Sequence, residues 1–235
     1  MIDLRDALRA GAREAAGIPA VTLAAGYVGF GALAAGHHLP LAGSVLASLW
    51  IWALPGQLIL VEMYAVGAPL LALVLSVMLS AARFLPMTVV LMPMMRHERH
   101  RGWQYWLAAQ LLAMTGWAMA MARFPAMVVD RRLPWFFGFT LVCWGASAAA
   151  TALGYFVADS LTPVAKLGLV FLAPMYYLLI LTGGIRDRLG WIALACGAAA
   201  GPLAYAASPQ WSVLIGGFTG GTLAWLVQRG VRRGG

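Results

Sequence analysis

The chain has 235 residues, of which 62% are hydrophobic and only 10% are charged. Soluble domains carry about 25% charged residues, so this composition excludes an ordinary soluble fold. The formal net charge of +8 is compatible with nucleic-acid binding, but the basic residues fall at the ends of apolar runs. That distribution is typical of the cytoplasmic loops of a protein in the lipid bilayer. It predicts a membrane protein without a nucleic-acid partner.

A charged amphipathic stretch opens the chain and a series of apolar segments follows. Residues 1–16 surround Leu4 and Leu8 with charges, which predicts a short helix on the cytoplasmic membrane surface. The later segments are about long enough to cross ~30 Å of hydrocarbon. They cover residues 17–36, 41–64, 69–95, 103–123, 134–158, 161–183, 189–206 and 210–228. The sequence predicts an all-α, polytopic helical bundle of six to eight hydrophobic segments, in one transmembrane domain over residues 1–235.

The basic clusters predict that two apolar segments are broken. Positive charge concentrates at 5–13, 96–101, 186–188 and 229–233, which the positive-inside rule places in the cytoplasm. If every segment crossed the membrane, the basic clusters could not all lie in the cytoplasm. The conflict disappears if two segments are broken or re-entrant. The candidates are 41–64, interrupted at Leu54-Pro55-Gly56, and 161–183, which contains Pro174. Their similar spacing is compatible with an inverted-topology repeat of residues 17–123 and 134–228.

Arg83 is a charge in the middle of the otherwise uncharged stretch 67–95. A charge at the bilayer midplane costs at least ~2.5 kcal/mol, so a membrane protein retains one where it contacts water, a partner or a ligand. Two interpretations stay open. Arg83 binds a substrate carboxylate with two hydrogen bonds, or it forms an ion pair or carbonyl contacts that fix helix packing.

Gln57 follows the predicted break at Pro55 and Gly56. If a helix restarts there, its free N–H groups and positive dipole end attract a carboxylate or another anion, and Gln57 adds a donor. The alternative is that Gln57 satisfies backbone carbonyls freed by Pro55. Glu62, five residues further on, either pairs with Arg83, carries a coupling proton, or is an interfacial residue at the segment end.

Other polar residues in the apolar segments have smaller predicted roles. Tyr176 has the place in the second unit that Gln57 has in the first, so it lines the same cavity or belongs to an interfacial aromatic belt. Gln110, Thr115 and Ser147 interrupt apolar helices, which predicts hydrogen bonds between helices.

The histidines and carboxylates predict neither a metal site nor a cofactor. His97 and His100 have the spacing of a metal pair, but the neighbouring arginines repel a cation, so a solvated loop is expected. The apolar segments contain no paired-carboxylate motif and no histidine cluster. The pattern therefore does not favour catalytic chemistry.

Several motifs, taken in order, resemble the AzlC-type large subunit of the branched-chain amino acid exporter family. Ala53-Leu-Pro-Gly-Gln57 is similar to the family's Ala-Gly-Ala-x-Gln element, and Arg83 falls on its Asn-x-Arg element. Residues 166–174 resemble its Leu-Gly-Leu-x-Phe-x-x-Pro segment. Two departures stand out: Ala81 replaces the asparagine, and the Thr115-Gly116 region replaces an Asp-Glu pair.

The resemblance implies a secondary transporter subunit that exports branched-chain or similar apolar amino acids across the bacterial inner membrane. It implies a separately encoded small AzlD-type membrane partner and an ion or proton gradient as the driving force. The substrate carboxylate would lie near Arg83 and the helix end at Gln57. Two alternatives stay open: an assembly or interaction subunit that transports nothing itself, and, in third place, a membrane-embedded enzyme.

Overall fold

The computed structural model describes residues 4–184, 188–207, 219–227 and 229, which form helices and connecting turns without a β-strand. The all-α class predicted from composition is confirmed. In these ranges the α-helices are α1 Leu4–Ala15, α2 Ile18–Gly36, α3 Leu41–Trp50, α4 Leu54–Ala65, α5 Leu70–Ala81, α6 Phe84–Met94, α7 Gly102–Gln110, α8 Met114–Arg123, α9 Val129–Phe156, α10 Pro163–Gly184 and α11 Arg188–Ala207. Short 3-10 helices, Phe124–Ala126 and Ala158–Ser160, precede α9 and α10.

The chain divides into two compact units, Met1–Ile180 and Leu181–Gly235. The second unit contains α11 and helical backbone over 219–227. These two stretches approach closely, because a Cβ added at Gly220 would lie 3.0 Å from the Gly197 Cα atom. Small residues at such a crossing let two helix backbones come together.

Two helices in the described part of the chain, α2 and α9, are long and apolar enough to cross a membrane. Helices α5 and α6 form a third candidate span if they are counted as one, with a bend of 46° between them. The membrane class is thus supported by helix length and composition. The larger number of crossings, the inverted repeat and the division into 1–16, 17–123 and 134–228 remain predictions.

Helix α9 is the centre of the first unit, and α1 and α2 pack along it. Two crossings rely on glycine pairs, Gly11 with Gly138 and Gly31 with Gly154. A Cβ added at any of these four positions would overlap a backbone carbonyl of the facing helix. The backbones are therefore in direct contact at both crossings, which leaves no room for any side chain.

The predicted amphipathic helix is present as α1, and its small residues pack on α9. Its buried residues are Ala7, Gly11 and Ala15. The indole N–H of Trp135 on α9 donates to a Glu14 carboxylate oxygen at 3.0 Å, and Glu14 also pairs with Arg123. The N-terminal helix is thus fixed to α9 by packing and by polar contacts.

The first predicted break is confirmed and the second is wrong. The 41–64 segment is interrupted at residues 51–53, slightly before the predicted Leu54–Gly56. Helix α10 continues through position 174 without interruption. Membrane helices tolerate proline when neighbouring groups satisfy the freed carbonyl, so proline alone does not predict a break. A break that was not predicted divides the 103–123 segment at residues 111–113.

Candidate functional site

The break between α3 and α4 is built into the protein interior. The last carbonyls of α3 need partners, because a helix end leaves its final C=O groups without intrahelical donors. The Trp144 indole N–H donates to the Leu49 carbonyl at 2.9 Å, and the Gln110 amide donates to the Trp50 carbonyl at 2.9 Å. Side chains from α9 and α7 thus satisfy acceptors that hydrocarbon could not.

Trp52, in the middle of this break, has a strained backbone. Its φ angle is +38°, in the left-handed region that non-glycine residues rarely adopt. Such a conformation costs about 1–3 kcal/mol and persists where surrounding contacts enforce it. Trp52 is buried, and its indole N–H donates to the Ser147 hydroxyl at 3.1 Å. Helix α9 therefore holds the break in its observed shape.

A chain of buried hydroxyl and amide groups links α4, α3 and α9. The Gln57 amide NH₂ donates to the Ser48 hydroxyl at 3.0 Å. The hydroxyls of Ser48 and Thr151 are 2.7 Å apart and share a hydrogen bond. Ser147 and Thr151 are one turn apart on α9. These side chains form a continuous polar network, which we call the break network: Ser48, Trp52, Gln57, Ser147 and Thr151.

The side-chain amide oxygen of Gln57 has no hydrogen-bond partner. The side chain is 0% exposed, and its Oε1 atom accepts no hydrogen bond in the structure. A buried acceptor without a donor costs about 1–3 kcal/mol. This unmet acceptor therefore identifies a position where a bound group with an N–H or O–H would be favourable.

The N-terminus of α4 lies beside this oxygen. Ala53 is the N-cap residue and provides no side-chain cap, so the first N–H groups of α4 retain their capacity to bind an anion. Pro55 and Gly56 lie in the first turn of α4, where proline is readily accommodated. A Cβ added at Gly56 would make ordinary contacts, the nearest at 3.5 Å, so packing does not require glycine there.

A second break between α7 and α8 lies next to the first one. Gln110, at the end of α7, is the residue that donates to the last carbonyl of α3. Residues 111–113 are buried, and α8 begins at Met114 without a side-chain cap at its N-cap Ala113. The two breaks have the same length and are 60 residues apart in sequence, with Gly56 and Gly116 at matching positions. Each break thus ends at a buried N-cap residue, Ala53 or Ala113, where a helix begins.

Arg83 lies outside the break network. It is exposed at the bend between α5 and α6, with its guanidinium carbon 5.3 Å from the centre of the Phe84 ring. A Cβ built at Gly56 would lie 3.7 Å from the Val77 side chain, so α5 passes the start of α4. Arg83 follows Val77 by six residues, or about 9 Å along a helix. It therefore lies beyond the end of α5, past the point where α5 contacts α4.

The other predicted site residues are not brought into the network. Glu62 is exposed near the end of α4. The Tyr176 side chain lies outside the described residues, although its backbone belongs to α10. The predicted helix-to-helix hydrogen bonding is confirmed for Gln110, while Ser147 on α9 bonds the break residue Trp52.

Sequence reasoning missed Ser48 and Thr151. The available signal was hydroxyl spacing: Ser44 and Ser48 are four residues apart, as are Ser147 and Thr151. On an α-helix this spacing places two side chains on one face. Two such pairs on otherwise apolar helices predict a polar seam between them.

The comparison with protein families agrees with the membrane class assigned to this chain. The family model described as AzlC protein matches residues 20–161, which include both breaks and the whole break network. No curated protein and no solved structure matches the chain. The match covers more than half of the 235 residues. The chain therefore belongs to the AzlC family of membrane transport-related subunits.

Proposed function

We propose that the chain is the large subunit of a secondary transporter that exports branched-chain or similar apolar amino acids, together with a small AzlD-type membrane subunit. The observation that carries the proposal is the buried Gln57 oxygen without a partner, in the first turn of a helix that starts inside the apolar core. Discontinuous helices with such termini are a common basis for substrate sites in secondary transporters.

The two halves of an amino-acid zwitterion match two features of the break. The carboxylate fits the N-terminus of α4, where free N–H groups and the helix dipole favour negative charge. The ammonium group fits Gln57 Oε1, which has no donor in the described structure. Buried apolar residues around the breaks, among them Trp52 and Leu54, supply contacts for an apolar side chain.

Arg83 is the proposed partner of the carboxylate when the transporter changes state. The contact of α5 with the start of α4, between Val77 and Gly56, supports this proposal, because Arg83 follows Val77 by six residues in sequence. Tyr176 is the proposed contribution of α10 to the cavity wall. Glu62 is the proposed coupling carboxylate, because it lies on the same helix as Gln57 and its side chain is exposed.

The described structure corresponds to a closed state in this mechanism. Gln57 is completely buried, so an amino acid reaches it only after the half-helices separate. The breaks at 51–53 and 111–113 are the points where such movement is easiest, since the helical ladder is already interrupted there. Alternating access would then open the break network to one membrane side at a time.

The small partner subunit is proposed to cover α5 and α6. Most of their outward side chains are apolar and exposed, for example Leu71, Met78 and Leu85. A second membrane subunit would bury these apolar side chains. Loss of co-purification after Leu71→Asn and Met78→Asn would support this placement, and unchanged association would contradict it.

Transport is tested by loading cells or proteoliposomes with radiolabelled valine and measuring its release. Gln57→Met keeps side-chain length but removes both polar atoms, and we expect release to fall at least tenfold. Thr22→Val, a polar-to-apolar change at a residue whose hydroxyl bonds only its own helix, is the matched control. Release by Gln57→Met at the parental rate would contradict the proposed site.

Two further outcomes separate the alternatives. If Arg83→Ala releases valine normally while Gln57→Met does not, Arg83 does not belong to the site. The proposal for the break network would still hold. No release from the chain reconstituted with its partner, under either a proton or a sodium gradient, would favour an assembly subunit over a transporter.

A further inference from the structure

We propose that the turn between α6 and α7 forms a binding site for the phosphate group of an anionic phospholipid. A cavity of about 700 Å³ lies there, well within the size range of ligand sites. Its lining combines apolar and polar residues. Met92 and Pro93 are apolar, whereas the remaining lining is mainly polar or charged: Arg96, His97, Glu98, His100, Gly102 and Tyr105.

The surroundings of this cavity are those of a membrane–water boundary. Trp103 and Trp106 at the start of α7 are 58% and 81% exposed, and indoles of this kind concentrate at the headgroup level of a bilayer. Exposed apolar side chains of α6, such as Val89, continue the surface toward the hydrocarbon. An amphiphile with its tail along α6 would place its headgroup at the turn.

The turn carries a net positive charge and a fixed shape. Its basic residues Arg96, Arg99 and Arg101 are exposed, and Glu98 is its one acid, which leaves a formal charge of +2 before the histidines are counted. The Tyr105 hydroxyl accepts from the His97 backbone N–H at 3.0 Å. The backbone N–H of Arg101 donates to the Gln104 side chain at 2.8 Å.

A contact from α9 holds the other side of the turn. The Arg132 guanidinium donates to the Met94 carbonyl, the end of α6, at 2.9 Å. With both ends fixed, the backbone of the turn is preorganised for a ligand, which lowers the entropy cost of binding.

His100 gives the site a feature that a simple basic loop lacks. Its Nε2 atom is shielded from solvent and has no hydrogen-bond partner. Burial, and then the charge of His97, lower the pKa of His100 below its ordinary value of 6.5, while Asp130 on α9 partly offsets this. Protonation turns Nε2 into a hydrogen-bond donor, and a phosphate oxygen can accept that hydrogen bond.

The sign of the pH dependence follows from these groups. His100 is neutral above its lowered pKa and charged below it, so acidification adds positive charge beside the cavity. The other charged or titratable groups around it are His97, Arg96, Glu98 and Asp130. Anionic lipid should therefore bind more tightly at the lower pH.

The test uses the full chain in detergent, titrated with phosphatidylglycerol or phosphatidylcholine and followed by thermal stabilisation at pH 7.5 and pH 5.5. We expect stabilisation by phosphatidylglycerol only, tighter at pH 5.5. Arg96→Gln should weaken the apparent affinity about fivefold, in line with one lost basic residue at an anionic surface. His100→Gln should abolish the pH dependence while leaving binding at pH 7.5 within twofold.

Arg9→Gln, which removes an exposed arginine from α1, is the matched control and should leave binding unchanged. An equal effect of Arg9→Gln and Arg96→Gln would mean that bulk charge, not this cavity, attracts the lipid. Equal stabilisation by both lipids would also overturn the proposal. Millimolar inorganic phosphate is the third arm: stabilisation by phosphate that displaces the lipid effect would assign the cavity to a free anion.

Discussion

The helices of the α1–α2–α9 core and the broken helices are packed by opposite means. In the core, four glycines bring backbones into contact, and the long helices α2 and α9 run without a break. Around the breaks, hydrogen bonds carry the packing: Trp144 and Gln110 donate to the last carbonyls of α3, and the Ser147 hydroxyl accepts from the Trp52 indole. The core loses stability if an atom is added, while the broken region loses stability if a polar atom is removed.

The largest expected effect is in the glycine-packed core. Gly154→Ala places a Cβ against the Val28 carbonyl, so the α2–α9 crossing has to separate. We expect a loss of at least about 3 kcal/mol, at or beyond the upper end of overpacking effects. The readout is the thermal unfolding midpoint in detergent. Gly145→Ala is the control on the same helix, since a Cβ there meets nothing within 4 Å and should be neutral or slightly stabilising.

A smaller loss is expected in the broken region from Ser147→Ala. The substitution leaves the Trp52 indole N–H buried without its acceptor and removes a contact that holds the strained break. The expected cost is about 1–3 kcal/mol. Thr22→Ala provides the comparison, because its hydroxyl bonds only to its own helix at Ile18. Equal unfolding midpoints for the two variants would show that α9 does not hold the break.

Loss of the Glu14–Arg123 ion pair at the edge of the core should reduce the stability less than either change above. Glu14→Gln keeps an acceptor for the Trp135 indole but removes the charge that faces Arg123. Because Arg123 is 54% exposed and Glu14 is 29% exposed, solvent screens the pair, and the loss should stay below about 1 kcal/mol. Raising the salt concentration should shrink the difference between the two proteins. A loss as large as that from Ser147→Ala would indicate that the pair is more protected than its exposure implies.

The smallest change in stability is expected at Gln57. Gln57→Met loses the hydrogen bond to Ser48 but also removes the unmet Oε1 acceptor, so the two effects nearly cancel. The unfolding midpoint should therefore change little, in contrast to the expected loss of valine release. A large destabilisation would assign Gln57 a structural role and would leave the transport result without meaning for the site.

Much of the fold followed from composition and periodicity, but the positions of the breaks did not. The helical class, the amphipathic α1 and the interruption of 41–64 were all predicted. The break at 111–113 contains neither proline nor glycine, so no local signal announces it. Its backbone is irregular where buried tertiary contacts replace the helical ladder, and such contacts cannot be read from sequence spacing. Pro174 illustrates the reverse case, a strong local signal within a continuous helix.

The site was predicted in part for the same reason. Gln57 was identified because it follows a proline and a glycine; the structure buries it in the first turn of α4, and its role in a site stays a prediction. Arg83 was identified because it lies in an otherwise uncharged stretch, but its exposure depends on how α5 packs, which hydropathy does not determine. Ser48 and Thr151 needed a search for hydroxyl pairs one turn apart, since single serines and threonines are ordinary in membrane helices.

The hydrogen bond from Gln110 to the Trp50 carbonyl has a mechanical consequence. It joins the end of one half-helix to the end of another across 60 residues of sequence. The bond lies at an exposed position, so in a bilayer neither end could move away without leaving the Trp50 carbonyl in hydrocarbon without a donor. The two interruptions should therefore move together, and their release should be one step rather than two independent ones.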